Sequence, residues 1–144
     1  MARFRSELPN DLIKELEDLE NNADDIFGEM TQEGAKVVYE LIKTNMSKVF
    51  KKTDKLERGL KITKVYKTSG DDGINTFIGF FGYVPNSKKT KAHPYGKPIP
   101  LIALAREYGT SSGEAKKPFL RKSFKKKEIE KAMLKVQNKY IKGD

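Results

Sequence analysis

The chain has 144 residues, the length of one domain, with 37% apolar side chains, 34% charged side chains and a formal charge of +9. That balance suffices for one core but commits part of the chain to extended, mobile or partner-bound surface. There is no cysteine, which excludes disulfides, thiolate metal sites and cysteine nucleophiles.

No apolar run reaches the length of a membrane span, and the N-terminus MARFRSELP lacks the apolar centre of a signal peptide. The chain is expected to stay in the compartment where it is made. Pro9-Asn10-Asp11 opens a helix. Leu12, Leu16, Leu19, Ala23, Ile26, Met30, Val37, Val38, Leu41 and Val49 then recur mostly at three- and four-residue intervals. Unbroken from Asn10 to Phe50, such a helix would run about 60 Å, longer than a small domain is wide. Gly28 and Gly34 are therefore expected to break or bend it. The alternative is two ordinary helices with a turn near Gly34. The first half is acidic: Glu7 to Glu40 holds 11 acids against Lys14 and Lys36.

Lys51-Lys52-Thr53-Asp54 ends the helical pattern. Leu60 to Lys67 alternates as a strand, Ser69-Gly70-Asp71-Asp72-Gly73 is a turn, and Ile74 to Val84 (INTFIGFFGYV) is the partner strand. Together they predict a long β-hairpin. Gly79 and Gly82 within it predict a bulge or a close backbone approach. Pro85 to Pro98 (PNSKKTKAHPYGKP) is a loop, expected to be mobile, and Lys88, Lys89 and Lys91 on it are candidate contact residues. Pro98 and Pro100 introduce a short helix with Leu101, Leu104, Ala105 and Tyr108 on one face and Gly109 at its end. Ile129, Met133, Val136 and Tyr140 mark one face of a C-terminal helix whose other faces are lysine.

Catalytic chemistry finds no support in these residues. His93 is the only histidine and has no placed acid or nucleophile. Asp71 and Asp72 are turn formers by context. Gly79 and Gly82 sit inside a strand pattern, not between a strand and a helix. No metal or cofactor is expected. Residues 1–72 carry 13 basic and 15 acidic side chains, whereas residues 73–144 carry 16 and 5. A chain with an acidic and a basic end suits head-to-tail contact between copies. A basic surface turned to nucleic acid is the alternative. Phe119 and Phe124 lie among Lys116, Lys117, Arg121, Lys122 and Lys125, and both are expected to be core anchors rather than stacking platforms. Glu107, at the end of an apolar segment, reads first as an ordinary exposed glutamate; if buried it needs a cationic partner, and Arg106 and Arg121, in this copy or a neighbour, are the candidates.

Glu107-Tyr108-Gly109-Thr110, a short variable loop and then Pro118-Phe119-Leu120-Arg121 resemble the signature of the tailed-bacteriophage tail-component family, small proteins of the head–tail joining region. That family also carries an N-terminal helix ending in a Thr-Gly-x-Leu-type step into the first strand. Thr53-Asp54-Lys55-Leu56 holds that place here, with aspartate where glycine is usual. The resemblance implies a single α+β domain over residues 1–144: a long N-terminal helix, an antiparallel β-hairpin sheet, a short helix before the Gly-Thr turn and a C-terminal helix. It implies a structural phage or prophage protein of the neck or tail end, assembling with itself as a ring around the DNA path and with other neck or tail proteins. Such a protein resides in the virion, after passing through the host cytoplasm, and non-specific contact with phage DNA fits its position. The eight motif residues are read as a clip whose anchors fix both ends of a loop that orders on a neighbouring subunit.

Overall fold

A computed structural model describes residues 9–141. The signal-peptide reading of MARFRSELP and the acid Glu7 thus fall almost wholly outside the described residues. The fold is α+β. Helices α1 (Asn10–Asn21), α2 (Ala23–Val49) and α3 (Asp54–Gly59) lead into short strands β1 (Leu60–Ile62), β2 (Tyr66–Lys67), β3 (Ile74–Asn75) and β4 (Ile78–Phe80). Helix α4 (Ile99–Tyr108), a 3-10 turn at Arg121–Ser123 and helix α5 (Lys126–Ile141) follow. No helix in the described residues is long and apolar enough to cross a membrane.

The first helical run breaks at Asn22, not at a glycine. Asn22 sits at φ −101° and ψ 3°, and its side-chain amide donates to the Asp18 carbonyl at 2.8 Å. Asparagine competes in this way with the helical ladder. Gly28 and Gly34 lie inside α2, where they mark close approaches. A Cβ on Gly28 would stand 3.4 Å from Val65, and one on Gly34 would stand 3.3 Å from both Ile129 and Met133. Glycine at these positions lets the hairpin and α5 lie against α2.

Helix α2 is the spine. Its buried face is Ala35, Val38, Ile42 and Met46, continued by Phe50, at helical spacing. Val37, Leu41 and Val49, which the sequence pattern places on the core face, are half-buried at its flanks. The core gathers Val38, Ile42, Met46 and Phe50 with Leu56, Leu60, Ile99, Ala103 and Phe119. Along the outer half of α2, α5 packs through Ile129, Met133 and Val136, and its Tyr140 hydroxyl donates to Glu29.

Thr53-Asp54-Lys55-Leu56 does not step straight into a strand. It opens α3, which puts Leu56 in the core and Gly59 under a crossing point. A Cβ on Gly59 would stand 2.8 Å from the Phe81 carbonyl oxygen and 2.6 Å from Ile99.

The hairpin is antiparallel but is interrupted rather than continuous. Leu60 pairs with Phe80 and Ile62 with Ile78, while Tyr66 pairs with Asn75 and Lys67 with Ile74. Three residues (63–65) therefore face two (76–77), so a bulge lies on the first strand and not at Gly79 or Gly82. Its cause is local. The Thr63 hydroxyl accepts the Phe77 N–H at 2.9 Å, and Gln32 of α2 donates to the Thr63 carbonyl at 2.9 Å. Gly79 has a different use. The Phe77 ring lies over it, 2.5 Å from where a Cβ would be, and meets Phe81 edge-on at 5.8 Å.

Candidate functional site

Helix α4 positions the clip. Pro98 precedes its first turn and Pro100 lies within it, where the missing N–H is not needed. The buried face is Ile99, Ala103 and Glu107. Leu101, Leu104 and Tyr108, expected to face inwards, are exposed. The helix is apolar nearly all round, so spacing alone selects the wrong side.

Gly109 ends α4, its N–H donating to the Ala105 carbonyl at 2.9 Å. Its φ of 80° and ψ of −179° belong to a region open to glycine almost alone. A Cβ there would also stand 2.8 Å from the Glu114 carbonyl oxygen. Gly109→Ala is accordingly expected to destabilise the fold by roughly 1–3 kcal/mol. A chemical denaturation midpoint equal to wild type would refute this.

The chain then turns back on itself. Thr110 N–H donates to the Glu114 carbonyl at 3.1 Å, and Glu114 N–H donates to the Thr110 hydroxyl at 3.2 Å. Lys117 N–H donates to the Arg106 carbonyl at 2.9 Å, and Arg106 pairs with Glu114 at 3.1 Å. Pro118 delivers the next residues to Glu107. The carboxylate accepts N–H bonds from Phe119 at 2.7 Å, Leu120 at 2.9 Å and Arg121 at 3.2 Å, and one from Arg121 Nε at 3.0 Å.

Glu107 is only 1% exposed, yet all its charge is answered by these four donors. Of the two candidate cations, Arg121 is its partner. Burial pushes its carboxyl pKa upwards. The three backbone N–H groups and the Arg121 side chain outweigh that and hold the pKa below the usual value. With both oxygens occupied, the carboxylate works as a lock on the chain. Phe119 is fully buried, edge-on to Phe50 at 5.4 Å and to Phe80 at 6.1 Å.

Tyr108, Gly109, Thr110, Pro118 and Leu120 thus gather around Glu107, Phe119 and Arg121. Exposed Arg121 lies over the exposed Tyr108 ring at 5.1 Å and gives the clip its outer surface. Phe124 departs from expectation. It is 66% exposed and projects among lysines instead of anchoring the core. Ser123, unmarked by any sequence pattern, is fully buried. Its hydroxyl donates to the Phe119 carbonyl at 2.6 Å and accepts from Asn45 of α2 at 3.0 Å.

Lys88, Lys89 and Lys91 stand exposed on the loop between β4 and α4. The base of that loop is closed by Val84 N–H to the Lys97 carbonyl at 2.9 Å and Lys97 N–H to the Ser87 hydroxyl at 2.8 Å. Thr90 and His93 exchange backbone bonds at its tip. We propose that the loop from Pro85 to Pro98 is mobile, most of all at these three lysines. Their amides should exchange with solvent much faster than those of Ile78–Phe80. Strong protection at all three in a monomer would contradict this.

Asp71 accepts the Gly73 N–H at 3.0 Å, which is a turn-forming bond. Among the described residues no cluster of histidine, aspartate and glutamate is arranged to hold a metal. Residues 10–79 match the family described as "Bacteriophage HK97-gp10, putative tail-component".

Over these residues, somewhat less than half of its length, the chain is similar to a tailed-phage tail-component family. The match runs from α1 through the hairpin to Gly79. It covers the Thr53-Asp54-Lys55-Leu56 step and ends before the Glu-Tyr-Gly-Thr and Pro-Phe-Leu-Arg segments. No curated protein and no solved structure matches the chain.

Proposed function

We propose that the chain is a non-enzymatic structural component of the phage neck or tail end. It assembles with itself into a closed ring around the DNA path and joins other neck or tail proteins in the virion after passing through the host cytoplasm. The tail-component match supports the class. The observation that carries self-assembly is α1. This helix is amphipathic and lies within the matched region, yet it has no buried residue, and Leu12, Ile13 and Leu16 are exposed. Such a helix gains little by folding against its own chain and much by covering its apolar face elsewhere. The clip fits the same reading. Glu107 and Phe119 fix the backbone from within, and Tyr108 and Arg121 present a rigid outer surface.

Deletion of the gene from the phage genome that encodes it tests this role. Filled or empty heads and tails should accumulate unjoined or unfinished in electron micrographs, and expression in trans should restore whole virions. Normal virions without the protein would refute the proposal.

A further inference from the structure

The two ends of α2 carry complementary surfaces. At its start, α1 presents Ile13, Leu16, Glu17 and Glu20 on one face, at three- and four-residue spacing, all exposed. Helix α1 holds five acids against the single base Lys14. Its opposite face, with Glu15, Asp18 and Leu19, already lines a hollow against the end of α5.

At the far end of α2 lies a groove made of two adjoining recesses of about 450 and 210 Å³. Ile102 and the buried Phe50, with the Arg106 guanidinium over its ring at 5.5 Å, lie in its floor, and Lys51, Lys52 and Lys117 stand around it. Asp54 and Lys55, at one end, offset each other, and Glu114 answers part of the Arg106 charge. The groove is therefore basic at its rim and apolar beneath.

We infer that this groove receives the Ile13–Glu20 face of α1 from a second copy of the chain. The inference rests on the self-assembly proposed above and names the two surfaces. Helix α2 has 27 residues, so its ends lie about 40 Å apart, and α1 cannot reach the groove of its own chain. Two α1 helices repel one another, as do two grooves, which leaves acidic helix on basic groove as the favoured pairing. A contact between different surfaces repeats from copy to copy and closes into a ring where the rotation permits. The recesses have room for the side chains of one helix face, Ile13 and Leu16 over the floor and Glu17 and Glu20 against the cations. A nucleic-acid backbone would satisfy the lysines but leave the apolar floor uncovered.

Charge reversal on each side, followed by sedimentation velocity of the full chain, tests the pairing. Glu17→Lys with Glu20→Lys, and separately Lys52→Glu with Lys117→Glu, alter exposed side chains, and circular dichroism checks that each variant is folded. Either pair should weaken self-association at least tenfold, and an equimolar mixture of the two variants, or both sets in one chain, should recover association. If wild type associates and neither reversal weakens it, the groove assignment fails while ring assembly stands. If wild type stays monomeric at every concentration, ring assembly itself fails, and the assignment with it. If the lysine reversals abolish retention of a duplex DNA probe and leave association intact, the groove holds nucleic acid and the inference is overturned.

Discussion

Phe119→Ala is expected to lower stability by about 3–5 kcal/mol, the range for truncating a fully buried phenylalanine. The ring is completely enclosed and meets Phe50 and Phe80 edge-on, so alanine would leave a cavity bounded by α2, β4 and the clip. The neighbours cannot easily collapse into it, because Glu107 pins the Phe119 and Leu120 backbone and Ser123 ties the Phe119 carbonyl towards α2. Phe124→Ala is the internal comparison and should cost well under 1 kcal/mol, since Phe124 stands largely in solvent. Urea unfolding of both variants measures the difference. Equal midpoints for the two would remove Phe119 from the core.

Removal of the Glu107 carboxylate is expected to be comparably damaging. Glu107→Ala strips the acceptor from three backbone N–H groups, of which that of Phe119 is buried. A buried donor left without an acceptor costs roughly 1–3 kcal/mol, less where water enters, so a total on the order of 3 kcal/mol follows. Exposed Arg121 keeps its hydration and adds little.

Glu107→Gln should cost less. One oxygen can still accept from Phe119 and Leu120, while the amide nitrogen faces the Arg121 donors. Its pH dependence is the sharper signature. The folded pKa of Glu107 lies below the ordinary value of 4.5. The stability it contributes is therefore fully present above that value and is lost as pH falls through the folded pKa. The stability gap between wild type and Glu107→Gln should be constant near neutrality and should narrow below about pH 4.5. A gap that stays constant down to acid unfolding would contradict the charge-based lock.

The helices were legible because their apolar periodicity is strong, and the clip because its residue types are unusual together. What the sequence concealed was orientation. In α4 the exposed stripe Leu101, Leu104 and Tyr108 is as apolar as the buried one, and the buried one contains a glutamate. Only the donors that arrive from Phe119, Leu120 and Arg121, more than ten residues later, make that burial affordable. In α2 the true core face is displaced from the apparent stripe because Ala35 and the two glycines, small enough to be overlooked, mark where other elements come closest. The hairpin bulge depends on Gln32 reaching Thr63, a contact no local pattern carries. Phe119 and Phe124 share similar surroundings in sequence, and only the 3-10 turn between them sends one inwards and the other out.

The charge asymmetry was also visible in sequence, and the structure sharpens its use. Asp24 pairs with Lys67 within the chain, so it is not a free acid for a neighbour. Glu17 and Glu20 stand exposed on the outer face of α1. Exposed ion pairs contribute only about 0–1 kcal/mol each, so the proposed assembly would need the apolar residues beneath them as well. Raising salt should therefore weaken association without abolishing it, as the Debye length falls from about 10 Å at 0.1 M to about 3 Å at 1 M.

Ring assembly is tested most directly by native mass spectrometry of the purified full-length protein over a range of concentrations. Assembly into a closed ring predicts one dominant oligomer of fixed subunit number, replacing the monomer as concentration rises, with no continuing ladder of larger species. A monomer that persists at every concentration, or an open-ended series of sizes, would contradict it.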